Sequence, residues 1–188
     1  MDAMLATFFA VLVAEMGDRS QVLAAALAIR FHDDRRILAG LTLATLLNCA
    51  ISAAAGSVID QWISEEPVRL FIALAYIFAG AGMLMWRRRV DILSGWKTGA
   101  FTTSFLGLFI LQFGDKSQFL IAAQSAGTPF WGFAFAGGAL GVLAACVPAI
   151  LLREKMAQML PIGLIRKMGG LLLLLWGAYL ALGVFDLI

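Results

Sequence analysis

Six apolar runs, at residues 4–29, 37–63, 68–86, 99–126, 130–152 and 164–184, take up most of this 188-residue chain. About 20 apolar residues in a helix cross the roughly 30 Å of hydrocarbon in a bilayer, whereas a barrel strand needs only about 9–11. Backbone N–H and C=O groups find no water there, so runs of this length have one solution, the helix. Composition agrees. The chain is 62% hydrophobic and 14% charged, against about 45–50% apolar in ordinary soluble domains. These observations predict an all-α integral membrane protein with six transmembrane helices. The start, MDAMLATFFAVLVAEMGD, has no basic n-region, so the first run is expected to be a retained span rather than a cleaved signal.

The breaks between runs are short and unequal in charge. Arg30, Arg35, Arg36, Arg87, Arg88, Arg89, Lys97, Arg153, Lys155, Arg166 and Lys167 all fall on one side, and only Arg69 falls on the other. Lys and Arg collect on the cytoplasmic side of membrane proteins, which predicts cytoplasmic basic loops and both termini outside. The basic residues sit in loops that set orientation, and nothing in their pattern points to nucleic acid. Cys49 and Cys146 are the only cysteines, so there is no CxxC pair and no disulfide framework.

The chain also repeats itself. A shift of 97 residues, without a gap, carries Gly17-Asp18 onto Gly114-Asp115, Ser20-Gln21 onto Ser117-Gln118, Gly40 onto Gly137, Cys49 onto Cys146, and Gly80-Ala81 onto Gly177-Ala178. The halves, residues 1–92 and 96–188, then hold three spans each. An odd number of spans puts the second half into the membrane from the opposite side. The expected architecture is a pair of inverted-topology three-helix repeats, with a site near mid-membrane where they meet.

The repeated element is AEMGDRSQ at 14–21 and LQFGDKSQ at 111–118. It sets Glu15, Asp18, Arg19, Asp115 and Lys116 midway along spans 1 and 4. An ionisable group at mid-bilayer costs roughly 2.5–3.5 kcal/mol. Five would cost roughly 12–18 kcal/mol if left facing lipid, as much as the whole stability of a typical domain at about 5–15 kcal/mol. They must be paired, hydrated or bound to an ion. Helical i, i+4 spacing predicts a local Glu15–Arg19 pair, which leaves Asp18 and Asp115 to face the site.

The donor set is oxygen-rich and free of histidine. Carboxylates come from Glu15, Asp18 and Asp115, amide oxygens from Gln21, Gln112 and Gln118, and hydroxyls from Ser20 and Ser117, with Asn48 of span 2 a possible contributor. Hard oxygen ligands suit Mg, Ca and Mn rather than Zn or Cu. Three carboxylates against Arg19 and Lys116 leave one net negative charge, which a divalent ion or a proton could offset. Gly17 and Gly114 are expected to let each helix unwind beside its Asp, as in the broken helices of transporters.

The motif E-x-G-D-(K/R)-(S/T), present twice in a six-span chain, resembles the signature of the transmembrane protein 165 family, also called uncharacterised protein family 0016. The resemblance implies a cation/proton exchanger handling Mn²⁺ or Ca²⁺, with bacterial members exporting manganese. The first copy, Glu15-Met16-Gly17-Asp18-Arg19-Ser20, matches throughout. The second, Gln112-Phe113-Gly114-Asp115-Lys116-Ser117, carries Gln112 where the family has Glu. Gln can offer a metal an oxygen but cannot carry a proton, and this bears on proton stoichiometry.

The expectation is therefore a secondary-active exporter of a divalent cation in exchange for protons, not an enzyme and without a tightly bound cofactor. It would sit in a bacterial inner membrane, with a homo-oligomer left open. The metal ligands would be Glu15, Asp18, Gln112 and Asp115, supported by Ser20, Gln21, Ser117, Gln118 and Asn48, with Arg19 and Lys116 as charge partners. Two other readings stay open. One is an exporter of a small anionic or zwitterionic solute held by Arg19 and Lys116. The other is a membrane assembly partner that transports nothing.

Overall fold

In a computed structural model the protein is described over residues 2–85, 90–159 and 161–185. In chain order its helices are α1 (Asp2–Glu15), α2 (Arg19–Phe31), α3 (Asp34–Asp60), α4 (Glu65–Leu84), α5 (Ala100–Gln112), α6 (Lys116–Ala126), α7 (Trp131–Leu152), α8 (Glu154–Met159) and α9 (Ile162–Val184). Four of them, α3, α4, α7 and α9, are each long and apolar enough to cross a membrane. The expected first and fourth spans are each divided at the motif, into α1 with α2 and α5 with α6. The Arg87, Arg88, Arg89 run, expected as topology-setting charges, lies outside the described residues.

Many small side chains share the interior with larger ones. Ala10, Ala14, Ala24, Ala28, Ala44, Ala53 and Ala79 are buried beside Leu23, Leu27, Ile37 and Leu41, while Phe9, Leu43, Leu74, Leu175 and Trp176 are exposed on the periphery. Lipid is as apolar as leucine, so small residues favour helix association by allowing close backbone approach.

The closest approaches obey the 97-residue offset. Where α4 meets α9, a Cβ added to Gly80 would strike the backbone of Gly170 and Leu174, and one added to Gly177 would strike that of Ala73 and Ile77. Each residue of the first set lies 97 from its counterpart in the second. The same holds where α3 meets α5 and α7 meets α1. Gly40 abuts the Phe101 carbonyl and Ser104, and Gly137 abuts the Met4 carbonyl and Thr7. Even the hydroxyls correspond: Thr7 Oγ1 donates to the Ala3 carbonyl and Ser104 Oγ to the Ala100 carbonyl, both at 2.7 Å.

The basic loops are stitched to the helix ends. His32 closes α2 in the left-handed region at φ 51°, and the Asp33 side chain accepts from the Arg36 N–H to start α3. Arg153, after α7, pairs with Asp34 at 2.9 Å. Arg30 donates to the Leu93 and Trp96 carbonyls, which ties the segment between the two halves to the end of α2.

Candidate metal centre

Both motifs break their helix in the same way. Gly17 and Gly114 take φ of +72° and +71°, a left-handed conformation that ends α1 and α5 at little cost only for glycine. Asp18 and Asp115 follow in extended conformation and immediately precede α2 and α6. Each occupies the N-cap position, yet neither side chain makes a capping hydrogen bond, so both carboxylates are free to point elsewhere. The Gly17 N–H donates to Gln21 Oε1 at 2.9 Å and the Gly114 N–H to Gln118 Oε1 at 2.8 Å. The glutamine of each motif thus ties down its own break.

The other end of each glutamine reaches across the bundle. Gln21 Nε2 donates to the Ala145 carbonyl of α7, and Gln118 Nε2 to Asn48 Oδ1 of α3, both at 2.7 Å. Asn48 Nδ2 in turn donates to the Phe109 carbonyl at 3.2 Å and makes a longer contact with Gln112 Oε1 at 3.5 Å. Gln21, Gln118 and Asn48 are therefore braces of the two breaks. Gln112 is buried, with its Nε2 unpartnered among the described residues.

Three acids meet in the space so framed. One carboxylate oxygen each from Glu15, Asp18 and Asp115 lies within 4.8 Å of the other two. Glu15 is fully buried, and neither of its carboxylate oxygens has a hydrogen-bond partner among the described residues. Lys116 Nζ stands 2.7 Å from Asp18 Oδ2 and 3.1 Å from Asp115 Oδ2, and an Arg19 guanidinium nitrogen lies 3.1 Å from Asp115 Oδ1. Ser20 and Ser117 are buried in the first turns of α2 and α6. The amino ends of those two half-helices carry partial positive charge, which further offsets the acids.

The expected Glu15–Arg19 pair is corrected by this geometry. Spacing of i, i+4 places two side chains together only along an unbroken helix, and the chain leaves the helix between these residues. Arg19 crosses to Asp115 instead. A cavity of about 330 Å³ reaches the cluster past Asp18, Arg19, Asp115 and Lys116, walled by Phe78 and Gly82 of α4 and Arg166 of α9. Arg166, counted in the sequence only as an orienting charge, donates to the Gly82 carbonyl at 3.2 Å. It lies 97 residues beyond Arg69 and so belongs to the repeat, but nothing in the sequence placed it at this cavity.

Comparison with known proteins decides the family. The model of the divalent cation/proton antiporter GDT1 family matches residues 3–91 and 100–186. The chain belongs to the GDT1 family. It is thus a transporter of a divalent cation/proton antiporter family rather than an enzyme, and a multi-pass membrane protein. A Vibrio cholerae protein named "Putative manganese exporter" is 34% identical over 88% of this chain and 84% of its own length. GDT1-like protein 4 of Oryza sativa subsp. indica is 26% identical over 92% of this chain and 70% of its own. GDT1-like protein 3 of Arabidopsis thaliana is 25% identical, covering 92% and 68%. No solved structure matches the chain. The family exchanges divalent cations for protons, and in this chain three acids meet between the two broken helices.

Proposed function

We propose that this GDT1 protein exports Mn²⁺ from the bacterial cytoplasm in exchange for protons, with Glu15, Asp18 and Asp115 as the ligands that metal and protons contest. The observation that carries this reading is Glu15, a fully buried acid without a partner, within 4.8 Å of two further acids from the two motifs. A buried carboxylate without a hydrogen bond is strongly unfavourable, and a cation passing through the cluster supplies a direct partner for Glu15. Mn²⁺ is placed ahead of Ca²⁺ because the relative with 34% identity bears a manganese exporter's name. Gln112 would add a neutral oxygen donor to the three acids. Gln21, Gln118 and Asn48 hold the breaks open, and Ser20 and Ser117 line the half-helix starts.

The architecture in this reading is six spans in two inverted repeats, residues 1–92 and 96–188. Spans 1 and 4 each cross as a broken pair, α1 with α2 and α5 with α6. The matching surroundings of Gly80 and Gly177, and of Gly40 and Gly137, support it, as do the two segments matched by the family. Basic loops face the cytoplasm of a bacterial inner membrane and both termini face outward. The cavity lies against Met85 and Arg166, at the ends of α4 and α9 that adjoin the basic loops. Beside the cavity α6 packs on α4, where the Phe119 and Phe78 rings meet edge-on at 5.3 Å. In this reading the cavity faces the cytoplasm, and rocking one repeat on the other would open the opposite side.

The anion-exporter reading loses ground because Arg19 and Lys116 are both engaged by carboxylates. The test is reconstitution into liposomes with a Mn²⁺-sensitive dye and a pH dye. Mn²⁺ flux coupled to opposite proton movement is expected, and Asp18→Asn should abolish it in a folded protein. Wild-type flux in that variant, or no flux from the intact chain, would refute the proposal.

A further inference from the structure

Lys116 and Arg19 occupy matching motif positions, yet they sit differently. Arg19 reaches Asp115 from the cavity with its side chain 34% exposed and one contact at 3.1 Å. The Lys116 side chain is 6% exposed and touches one carboxylate from each motif, Asp18 at 2.7 Å and Asp115 at 3.1 Å. Those two acids and Glu15 are the cluster in which the cation would sit. A metal ion bridging Asp18 and Asp115 would sit against the ammonium that holds Oδ2 of each, and two like charges so close repel strongly.

We infer that the Lys116 ammonium is a tethered competitor for the transported cation, seated between Asp18 and Asp115 in the empty carrier and displaced from them by the arriving metal. The inference rests on the reading of the acid cluster as the cation site. No proton leaves the lysine in this exchange; the ammonium changes partners. Room for the displaced group exists. The 330 Å³ cavity is lined by Lys116 itself, and its stem runs past Gly82, where an added Cβ would lie 3.8 Å from the lysine Cδ. The returning ammonium would also help expel the metal, which keeps a three-carboxylate site from holding its cargo too long. A lysine that serves only as a fixed counter-charge would stay in place when the metal binds.

The test uses the full-length protein in detergent, titrated with Mn²⁺ by calorimetry. Lys116→Met should bind Mn²⁺ about tenfold more tightly or better, because a like charge has been taken from the seat of the ion. Arg19→Gln, which removes an equal charge that touches Asp115 alone, should tighten binding less than Lys116→Met does. Equal tightening in both variants would reduce the effect to general electrostatics and overturn the inference. The second arm needs no variant: acetylation of Lys116 by acetic anhydride, followed by peptide mass spectrometry, should rise severalfold when Mn²⁺ is added. Unchanged or reduced acetylation would overturn the inference even if Lys116→Met does not fold. If the wild type binds no Mn²⁺ at all, the cation-site reading fails with it. If the wild type binds, Asp18→Asn does not, and Lys116→Met gives no tightening, only the competitor role fails.

Discussion

Gln118 spans the gap between its own helix break and a neighbouring helix, accepting from the Gly114 N–H at 2.8 Å and donating to Asn48 Oδ1 at 2.7 Å. In the other half Gln21 does the same between Gly17 and Ala145, with a backbone carbonyl standing where Asn48 offers a side chain. Position 145 is 97 residues beyond position 48, so the two halves make one contact with different atoms. An aligned Asn and Ala look unrelated in sequence, and only the coordinates reveal the shared role.

The braces are therefore unequal in what a point change can remove. Asn48→Ala deletes the acceptor of Gln118 and the donor to the Phe109 carbonyl, leaving a half-buried amide unpaired, at a cost of about 1–3 kcal/mol. Ala145→Gly keeps the carbonyl that Gln21 uses and should lose less than about 1 kcal/mol, the ordinary penalty for glycine in a helix. Thermal melts of the two variants in detergent check the order. A larger loss in Ala145→Gly would mean that Asn48 is not a brace.

Glu15 gives the opposite sign. It is fully buried and unpartnered among the described residues, so its charge is tolerated at the expense of stability. Glu15→Gln keeps the shape and removes the charge. The metal-free variant should melt at least as high as the wild type, by up to about 2 kcal/mol in its favour, while Mn²⁺ flux in liposomes disappears. A lower melting point together with retained flux would show that the acid is structural.

Much of this centre was legible in the sequence. The 97-residue offset singled out both Gly-Asp pairs, and glycine beside each acid announced the unwinding that φ of +72° and +71° realises. The pairing of charges was not legible, because helical spacing was carried across the point where the helix stops. Arg19 therefore met Asp115 instead of Glu15. Arg166 and Gly82 were not legible as part of the site for another reason. Their place at the cavity depends on how α9 lies against α4, a tertiary relation with no local signature.

Gln112 marks the departure of the second motif from the first. It is buried, and its Oε1 makes only the 3.5 Å contact with Asn48. Gln112→Glu would add a fourth acid to a cluster whose three carboxylates face Arg19 and Lys116. Adjacent carboxylates raise one another's proton affinity, so protons should compete with Mn²⁺ up to a higher pH than in the wild type. The pH at half-maximal Mn²⁺ binding should move upward, and protons moved per metal should increase. Superimposable pH profiles for variant and wild type would place residue 112 outside the site.

The two glycines offer the sharpest comparison, because their backbones match and their surroundings do not. An L side chain in the left-handed region costs about 1–2 kcal/mol, and both Gly17→Ala and Gly114→Ala incur it. At Gly114 nothing lies within 4 Å of an added Cβ, whereas at Gly17 the same atom would press on Ile162 Cγ2 at 2.8 Å and Arg166 Cβ at 3.2 Å, both on α9. Overpacking of that kind adds about 1–3 kcal/mol. Gly17→Ala should accordingly lose more stability than Gly114→Ala in detergent melts. In liposomes it should also transport more slowly, because α9 has been pushed away at the cavity wall formed by Arg166. If the repeats exchange environments during transport, Gly114 must meet a crowded surface in the opposite state. Gly114→Ala would then slow Mn²⁺ flux well beyond its small effect on the melt, and a variant slowed only in proportion to its stability loss would argue against such an exchange.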